Sequence, residues 1–545
     1  MLAFFAFLVA TFVTIVLIPP LRRAAEARGL FDMPSDRKVH RMPIPRVGGI
    51  AMAVGALLPV MMWAPIDART RGYLAGVAVL LVFGVLDDIK DLGYRLKFAG
   101  QLAAVLLVTL HGGVVVHHLP FMGAEPLPDP LAIAITVFAL VGVTNAVNLA
   151  DGLDGLAGGI SLLSLGIIAI LSQTTDDPML LLATTAAMGS IVGFLRFNTF
   201  PARVFMGDSG SQFLGFSTGV LVIVLTQQTN SAVSAALPLL ILGLPLLDTG
   251  LVMAKRLYEG RSPFRPDKLH IHHKLLALGF DHYEAVIVIY LLQALLVACA
   301  YLLRFEADTL VVGAYAAFCV GLVAWMRRAT RTRWRAHTPH APLPARPRWV
   351  EWLRRDQRLL KIAFAFAVAA ISCYLFVSAM LVAEVPADVG ALALGLLAVL
   401  LALFSRRRHQ PFSLVERAGL YIAGVCIVYL DQAMPGALAR VPLYREVLFV
   451  AMALAVAIGF RFSAERFRIT PMDVLIVIVA MLVPNIPEIR SRWDHIGTGV
   501  AMLIVLFYSI ELVLTNLRWR WDVMRYATYA TLAVLGLRGV AGLST

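Results

Sequence analysis

Long apolar segments recur along the chain and are separated by short polar ones. A helix that crosses the hydrocarbon core of a bilayer needs about 20 consecutive, mostly apolar residues. We predict about eleven such helices in the first part of the chain, near residues 2–19, 47–64, 71–86, 98–116, 130–147, 158–173, 179–195, 211–227, 234–253, 285–303 and 309–326. We predict about seven more near residues 360–382, 387–404, 417–433, 445–462, 471–486, 496–515 and 527–543. The pattern therefore predicts an all-α polytopic membrane protein.

Basic residues are concentrated in alternate connections between these helices. The first long loop alone contains Arg22, Arg23, Arg28, Arg37, Lys38, Arg41 and Arg46. Loops rich in lysine and arginine stay on the cytoplasmic side of a membrane. On that rule the cytoplasmic loops are those near residues 20–46, 87–97, 148–157, 196–210 and 254–284. The net charge of +13 then reflects membrane topology, and we predict no nucleic-acid partner.

The pattern changes after the eleventh predicted helix. Residues 327–361 are rich in Arg and Pro and contain no long apolar run. This composition suits a linker or a segment that lies on the membrane surface. We therefore divide the chain into a membrane domain at 1–330, a basic cytoplasmic linker at 331–358 and a C-terminal multi-span membrane region of unknown function at 359–545.

Four polar motifs interrupt the apolar pattern, and all lie on the predicted cytoplasmic side. They are 87–91 (DDIKD), 145–159 (NAVNLADGLDGLAGG), 206–211 (MGDSGS) and 270–273 (HIHH). Charged groups are costly inside a bilayer, so charged clusters at the ends of membrane spans are functional candidates. Carboxylates, glycines and histidines gathered on one membrane face suggest a metal-assisted phosphate site.

The first motif places three carboxylates at the end of the third predicted helix. Asp87 and Asp91 are four residues apart and share a helix face, whereas Asp88 is turned from Asp87 by about 100°. Hard oxygen ligands of this kind suit Mg²⁺ shared with a diphosphate. The alternative is a solvated helix end balanced by Lys90.

The second motif repeats a polar residue at every third position, in Asn145, Asn148, Asp151 and Asp154, with glycines between them. The spacing keeps these side chains roughly on one helical face, and the glycines let the backbone approach a ligand closely. Carboxamides and carboxylates can hydrogen-bond to a base or a ribose. The alternative is a glycine-rich connection between two membrane spans.

The third motif precedes the eighth predicted helix. Glycines allow a tight turn there, and free N–H groups at a helix start attract phosphate. Asp208 could then hold a metal ion against that phosphate. The alternative is an ordinary helix cap.

The fourth motif places His270, His272 and His273 in a long cytoplasmic loop, near Arg265 and Lys268. Their spacing differs from the i, i+4 pattern of a helical zinc site. Donors that hold phosphate groups fit this composition better, although a soft-metal site stays open.

A membrane transporter is the competing class, because carboxylates and histidines inside a membrane can relay protons. A transporter should place such groups near the bilayer midplane, whereas these motifs lie at one face. For the C-terminal region, both a transporter and a docking module for other proteins stay open.

Together, in this order and on this topology, the four motifs resemble those of the polyprenyl-phosphate N-acetylhexosamine-1-phosphate transferases, the MraY and WecA family. The HIHH form resembles the WecA and TagO branch. The segments 29–32 (GLFD), 37–40 (RKVH) and 246–248 (LLD), with Pro43, Pro45, Gly48 and Gly49, extend the resemblance. It covers about residues 1–330.

The resemblance implies a reaction and its partners. A polyprenyl phosphate, such as undecaprenyl phosphate, attacks a UDP-N-acetylhexosamine and releases UMP, with N-acetylglucosamine as the expected sugar. The expected cofactor is Mg²⁺, with Mn²⁺ as a substitute. The expected location is the bacterial inner membrane, with the active site on the cytoplasmic face, where it starts the synthesis of a cell-envelope glycan. A homodimer is left open.

The resemblance also implies roles for individual residues. Asp208 and Asp88 match the metal ligands, and Asp87, Asp88 and Asp208 match the catalytic carboxylates. The residues expected to bind substrate are Asn148, Asp151, Asp154, Lys97, Arg265, His270, His272 and His273.

Overall fold

The computed structural model describes residues 2–33, 42–123, 125–230, 232–262, 269–337, 358–405, 414–434, 436, 442–462, 471–482, 496–516 and 521–541. Within these ranges the regular structure is helical. The only residues bridged in a strand-like way there are Asp32 with Ile44 and Arg46 with Phe205. The all-α class is therefore confirmed.

Contacts within the chain divide it into two compact units. The first comprises Met1–Ala341 with Thr470–Leu475, and the second comprises Pro342–Ile469 with Ile476–Thr545. Residues 338–357 lie outside the described ranges. The linker at 331–358 and the domain boundaries on either side of it therefore stay predictions.

The first unit contains thirteen helices in its described part. They are α1 (Leu2–Arg28), α2 (Gly48–Trp63), α3 (Ala68–Lys90), α4 (Tyr94–Leu106), α5 (Asp129–Ala150), α6 (Leu156–Ser172), α7 (Pro178–Asn198), α8 (Gly207–Ile223), α9 (Pro238–Ile241), α10 (Gly243–Tyr258), α11 (Ile271–Ala277), α12 (His282–Leu302) and α13 (Asp308–Arg331). Short π-helical turns extend α4 through Leu107–His111 and α8 through Val224–Thr229.

The remaining helices are α14 (Arg358–Leu381), α15 (Ala387–Ser405), α16 (Leu414–Ala433), α17 (Pro442–Phe462), α18 (Pro471–Leu482), α19 (Ile496–Asn516) and α20 (Trp521–Ala541). They belong to the second unit, except that α18 is divided between the units after Leu475. Within the second unit α14 packs against α17, α19 and α20, and α16 packs against α19.

Nine helices in the described part of the chain are long and apolar enough to cross a bilayer. Shorter apolar helices accompany them at Gly48–Trp63, Leu156–Ser172 and Ala387–Ala402. The chain is therefore a multi-pass membrane protein. The count of about eleven spans followed by about seven stays a prediction.

The helix predicted at 234–253 is interrupted in the structure. α9 ends at Ile241 and α10 begins at Gly243. A broken helix inside a membrane protein must satisfy the carbonyls it frees. The Ile241 carbonyl accepts hydrogen bonds from Ser164 Oγ at 2.7 Å and Gln293 Nε2 at 2.8 Å, and the Gly243 carbonyl accepts one from Tyr315 Oη at 2.9 Å. Side chains of neighbouring helices therefore stabilise the break.

The core of the first unit is built around α8, whose membrane-spanning stretch is completely buried. Two glycines let other helices approach its first turn. A Cβ atom at Gly84 of α3 would lie 2.4 Å from Ser209 Cα, and one at Gly49 of α2 would lie 2.2 Å from Gly210 N. Real Cβ atoms do not come so close to backbone atoms. The glycines therefore fix where the ends of α2 and α3 meet the start of α8.

Candidate active site

The end of α3 supports the first turn of α8 through Asp88. Its carboxylate accepts hydrogen bonds from Asp208 N at 2.8 Å, Ser209 N at 3.2 Å and Ser209 Oγ at 2.8 Å. The first N–H groups of a helix lack intrahelical partners and carry a partial positive charge, so a carboxylate stabilises them. Both oxygens of Asp88, which sequence analysis predicts as a metal ligand, are thus engaged with α8.

Asp87 and Asp208 share the ammonium group of Lys97. Lys97 Nζ lies 2.8 Å from Asp87 Oδ2 and 3.1 Å from Asp208 Oδ2. The side chain of Asp87 is almost completely buried, and its Oδ1 atom has no hydrogen-bond partner among the described residues. The structure therefore brings together three of the residues that the sequence predicts, and it leaves one buried carboxylate oxygen available.

The second motif meets α8 at the end of α5. Asn148 Oδ1 accepts a hydrogen bond from Ser211 Oγ at 2.8 Å, and the Asn148 side chain interacts with the carboxylate of Asp208. Asp151 follows the end of α5. Burial, together with the negative charges of Asp208, Asp154 and Asp88, raises the pKa of Asp151 to about 7. The carboxylates are thus close enough to repel one another, and a cation would relieve that repulsion.

Asp154 is tied to the segment that precedes α8. Its Oδ2 atom accepts a hydrogen bond from Ala202 N at 2.9 Å, and its own N–H donates to His282 Nε2 at 3.0 Å. The His282 ring in turn stacks on Phe200, with ring centroids 4.6 Å apart. These contacts hold the glycine-rich run of the second motif against the segment at 199–206.

Asp248 of α10 positions the histidine motif. Its carboxylate lies 2.8 Å from His270 Nδ1 and accepts a hydrogen bond from Ile271 N at 2.7 Å. These two contacts fix the start of α11. The side chains of His270 and Asp248 are both buried, so the pair forms a rigid base for the two histidines that follow.

His272 lies directly against the second motif. A Cβ atom at Gly152 would come within 2.4 Å of His272 Nε2. The ring is stacked on His270 with centroids 5.7 Å apart, and the centroid of the His273 ring is 4.2 Å away. Burial, followed by the positive charge that His273 can carry, lowers the pKa of His272 to about 3. His272 is therefore neutral at physiological pH.

Among the described residues, the possible ligand atoms of the three histidines do not all lie within 4.8 Å of one another. There, the group of His, Asp and Glu side chains with potential ligand atoms all within 4.8 Å of one another is Asp281, Glu284 and His337. The histidine motif is not part of it. Arg265 and Lys268, expected beside the histidines, lie outside the described residues.

Comparison of the sequence with known proteins identifies the family of the chain. The family model for glycosyl transferase family 4 matches residues 70–226, which include three of the four motifs. A probable undecaprenyl-phosphate N-acetylglucosaminyl 1-phosphate transferase of Bacillus subtilis (strain 168) is 35% identical over 289 residues, which cover 53% of this chain and 81% of the relative. The chain belongs to glycosyl transferase family 4.

Two further bacterial relatives match a similar share of this family-4 enzyme. A decaprenyl-phosphate N-acetylglucosaminephosphotransferase of Mycobacterium tuberculosis (strain ATCC 25618 / H37Rv) is 33% identical over 316 residues, covering 52% of this chain and 78% of the relative. An undecaprenyl-phosphate alpha-N-acetylglucosaminyl 1-phosphate transferase of Escherichia coli (strain K12) is 31% identical over 291 residues, covering 52% and 79%. The chain is thus an enzyme of the phospho-N-acetylhexosamine transferase class, and the family resemblance is confirmed.

The family-4 site contains residues that sequence analysis does not assign to it. The guanidinium group of Arg46 pairs with Asp32 and interacts electrostatically with Asp88 and Asp208. Hydrogen bonds from Gly48 N to Phe205 O and from Gly49 N to Met206 O, both 2.9 Å, hold this part of the first loop beside α8. In the sequence, Arg46 is one of many basic loop residues, so only its neighbours Pro45 and Gly48 indicate its role.

Proposed function

We propose that the chain transfers N-acetylglucosamine-1-phosphate from UDP-N-acetylglucosamine to undecaprenyl phosphate and releases UMP, so that it starts a cell-envelope glycan. The observation that carries this proposal is the group formed by Asp87, Lys97 and Asp208 at the start of α8. The relatives, whose names specify the same sugar and a polyprenyl phosphate, support it.

The donor set fits Mg²⁺. The groups around Lys97 that could act as ligands are carboxylate and carboxamide oxygens, the hard ligands that Mg²⁺ prefers, and the buried Oδ1 atom of Asp87 has no partner among the described residues. Asp208 and Asp87 would hold the ion, which neutralises charge on the diphosphate when bound. Direct coordination by Asp88 stays a prediction, since both of its oxygens already hold the first turn of α8.

The remaining residues position the two substrates. Lys97 offers a cation beside the reacting phosphates, whereas Asp208 N and Ser209 N at the start of α8 already donate to Asp88. Asp151 and Asp154 are proposed to bind the nucleotide, together with Asn148. A neutral His272 beside Gly152 would donate a hydrogen bond to a phosphate oxygen without adding charge. His270 and His273 are proposed to contact phosphates from the same side.

The location of the site agrees with a reaction between a lipid and a cytosolic nucleotide. Asp87 and Asp88 lie at the last turn of α3, and Asp208 lies at the first turn of α8. All three are therefore at helix ends and not at the middle of a membrane span. We propose that this end faces the cytoplasm of a bacterial inner membrane, where UDP-sugars are made and where the phosphate of a polyprenyl lipid can meet them.

The test is UMP release by the purified full chain in lipid nanodiscs that contain undecaprenyl phosphate and Mg²⁺. UDP-N-acetylglucosamine should be used, and UDP-N-acetylgalactosamine and UDP-glucose should serve as competing donors. Asp91→Asn is a matched control, because Asp91 belongs to the same motif but is exposed at the end of α3. UMP release from another UDP-sugar only would contradict the proposed donor. No release from any of the three would contradict the proposed function.

A further inference from the structure

The turn at 151–155, between α5 and α6, contains the two carboxylates that are proposed to bind the nucleotide. They are those of Asp151 and Asp154, and Gly152 between them lies against His272. The turn is not helical, so its main-chain N–H groups need partners outside a helix. The side chains that supply these partners decide where the two carboxylates lie.

Three side chains from two other helices hold the end of this turn. Asp154 N donates to His282 Nε2 at 3.0 Å. Gly155 N donates to Asn198 Oδ1 at 2.8 Å, and the Gly155 carbonyl accepts a hydrogen bond from Tyr290 Oη at 2.7 Å. His282 and Tyr290 belong to α12, whereas Asn198 is the last residue of α7. All three contacts are made to the main chain, so they fix the backbone of the turn.

His282 differs from the other two side chains because it contacts Asp154 itself. Its ring is also held from a second direction, since it stacks on Phe200 with centroids 4.6 Å apart, and the side chain is only 11% exposed. The segment that contains Phe200 also supplies Ala202 N, which donates to Asp154 Oδ2 at 2.9 Å. His282 and the segment at 199–206 therefore hold the main chain and the side chain of Asp154 together.

The chemistry of this contact suits a histidine. Because Nε2 of His282 accepts the hydrogen bond from Asp154 N, the proton of the neutral ring is on Nδ1. Lysine and arginine side chains have no acceptor. An aspartate or a glutamate would add a negative charge beside the Asp154 carboxylate, whose Oδ1 atom lies 4.0 Å from Nε2, and like charges so close are unfavourable. A neutral histidine supplies the acceptor without a charge.

We propose that His282 is a positioning residue for the nucleotide part of the substrate. It holds Asp154 N, and through this contact it keeps the carboxylates of Asp151 and Asp154 where a nucleotide can bind them. This role of His282 depends on the nucleotide-binding role that is proposed for the two carboxylates. Without the acceptor, the partly buried Asp154 N–H would lose its partner, which is unfavourable, and the turn would shift. Nucleotide affinity should then fall, whereas use of the lipid acceptor should not change.

The test compares two substitutions that differ in the reach of the side chain. In His282→Gln the carboxamide oxygen can occupy the place of Nε2, whereas the side chain in His282→Asn is one methylene shorter. The measurements, on the full chain in nanodiscs, are the dissociation constant of UMP and the half-saturating concentrations of UDP-N-acetylglucosamine and undecaprenyl phosphate.

We expect His282→Asn to weaken UMP binding and UDP-sugar use about tenfold, as loss of one hydrogen bond to a partly buried donor implies. The half-saturating concentration of the lipid should not change, and His282→Gln should recover most of the loss. His111→Asn is the matched control, because His111 is exposed and should behave as the unchanged chain does.

A second variant serves if His282→Asn does not fold. Phe200 is 38% exposed, so Phe200→Ala should fold, and loss of the stacked ring should weaken UMP binding about threefold. Unchanged UMP affinity in Phe200→Ala would then overturn the role of His282.

The proposal is overturned if His282→Asn binds UMP as the unchanged chain does, or if His282→Gln binds it as weakly as His282→Asn. A lower melting temperature without weaker UMP binding also overturns it, because His282 would then serve packing only. These results leave the proposed function intact. If the unchanged chain does not bind UMP, the nucleotide-binding role of Asp151 and Asp154 fails, and the role of His282 fails with it.

Discussion

In the first unit, two carboxylates share one ammonium group and one carboxylate oxygen stays unpaired, whereas in the second unit a buried charge pair is fully satisfied. Asp87 Oδ1 is the unpaired atom among the described residues. In the second unit, Glu416 accepts hydrogen bonds from Arg525 Nε at 2.5 Å, Arg525 Nη2 at 3.4 Å and Tyr529 Oη at 3.1 Å. Buried carboxylates in the two units thus take part in two different arrangements.

The difference separates a site that is built to receive charge from one that holds helices together. A buried ion pair whose hydrogen bonds are complete contributes mainly to the specificity of packing, and removing one partner leaves the other charge uncompensated. A cluster with an excess of one charge is unfavourable until a ligand arrives, so it is expected at functional sites. Mutations in the two clusters should therefore affect different properties of the protein.

The largest effect on activity is expected for Asp208→Asn. The substitution keeps the shape of the side chain and removes the charge that would bind a hard cation. We expect UMP release to fall on the order of a hundredfold or more, with an unchanged melting temperature. Asp91→Asn should retain activity. Near-normal turnover of Asp208→Asn at ordinary Mg²⁺ would refute the assignment.

The largest effect on stability is expected for Arg525→Met in the second unit. Glu416 would be left buried without its cation, which costs about 3–5 kcal/mol of the free energy of unfolding. Thermal denaturation in detergent should show a clear fall in melting temperature. The double variant Glu416→Leu with Arg525→Met should recover much of it. Equal melting temperatures for the single variant and the unchanged chain would show that this pair is not structural.

Asp88→Asn should have an intermediate effect on activity. It distinguishes two roles for Asp88, which are support of the start of α8 and direct binding of Mg²⁺. A carboxamide still accepts a hydrogen bond at the start of α8 but no longer carries the charge that favours a helix N-terminus. We expect activity to fall about tenfold, the equivalent of roughly 1.4 kcal/mol, with little change in the Mg²⁺ concentration required. A large increase in that concentration would instead make Asp88 a direct ligand of the ion.

A smaller effect is expected on the pH dependence of Mg²⁺ binding, through the side chain of Asp151. Its pKa of about 7 means that the side chain is largely neutral at pH 6 and ionised at pH 8. Ionisation adds negative charge to the site, so a divalent cation should bind more tightly as the pH rises through 7. The half-saturating Mg²⁺ concentration should fall over that interval, and Asp151→Asn should flatten the change. An identical pH dependence in the variant would exclude Asp151 as its source.

The smallest effect is expected when the second unit is removed. We propose that the first unit carries the transferase reaction, because every motif lies in it. His337 Nε2 lies 2.7 Å from Glu284 Oε2, and Ala336 N donates to the Leu278 carbonyl at 2.9 Å. A truncation should therefore be made after residue 341 and not before 336. The shortened chain should release UMP at a rate similar to that of the full chain. A monodisperse but inactive product would show that later residues complete the site.

Much of this architecture could be predicted from the sequence because the bilayer imposes a simple pattern. Each predicted apolar run overlaps a helix, although the runs at 98–116 and 234–253 also include non-helical residues. The first three motifs meet at the start of α8. The break between α9 and α10 could not be predicted, since it depends on Gln293 and Ser164 of other helices. Asp248 and His282 are likewise single residues whose contacts with His270 and Asp154 arise only from packing. Sequence periodicity carries no information about such contacts.

The adjacency of Asp87 and Asp88 has a mechanical consequence. Neighbouring residues on a helix point about 100° apart, and here one side chain holds Lys97 while the other holds the first turn of α8. A rotation of α3 about its axis would therefore change both contacts at once. The two contacts therefore restrict the rotation of α3 about its axis as well as its displacement. A ligand that displaces Lys97 would therefore affect α8 directly through Asp208 and also through Asp87 and its neighbour Asp88.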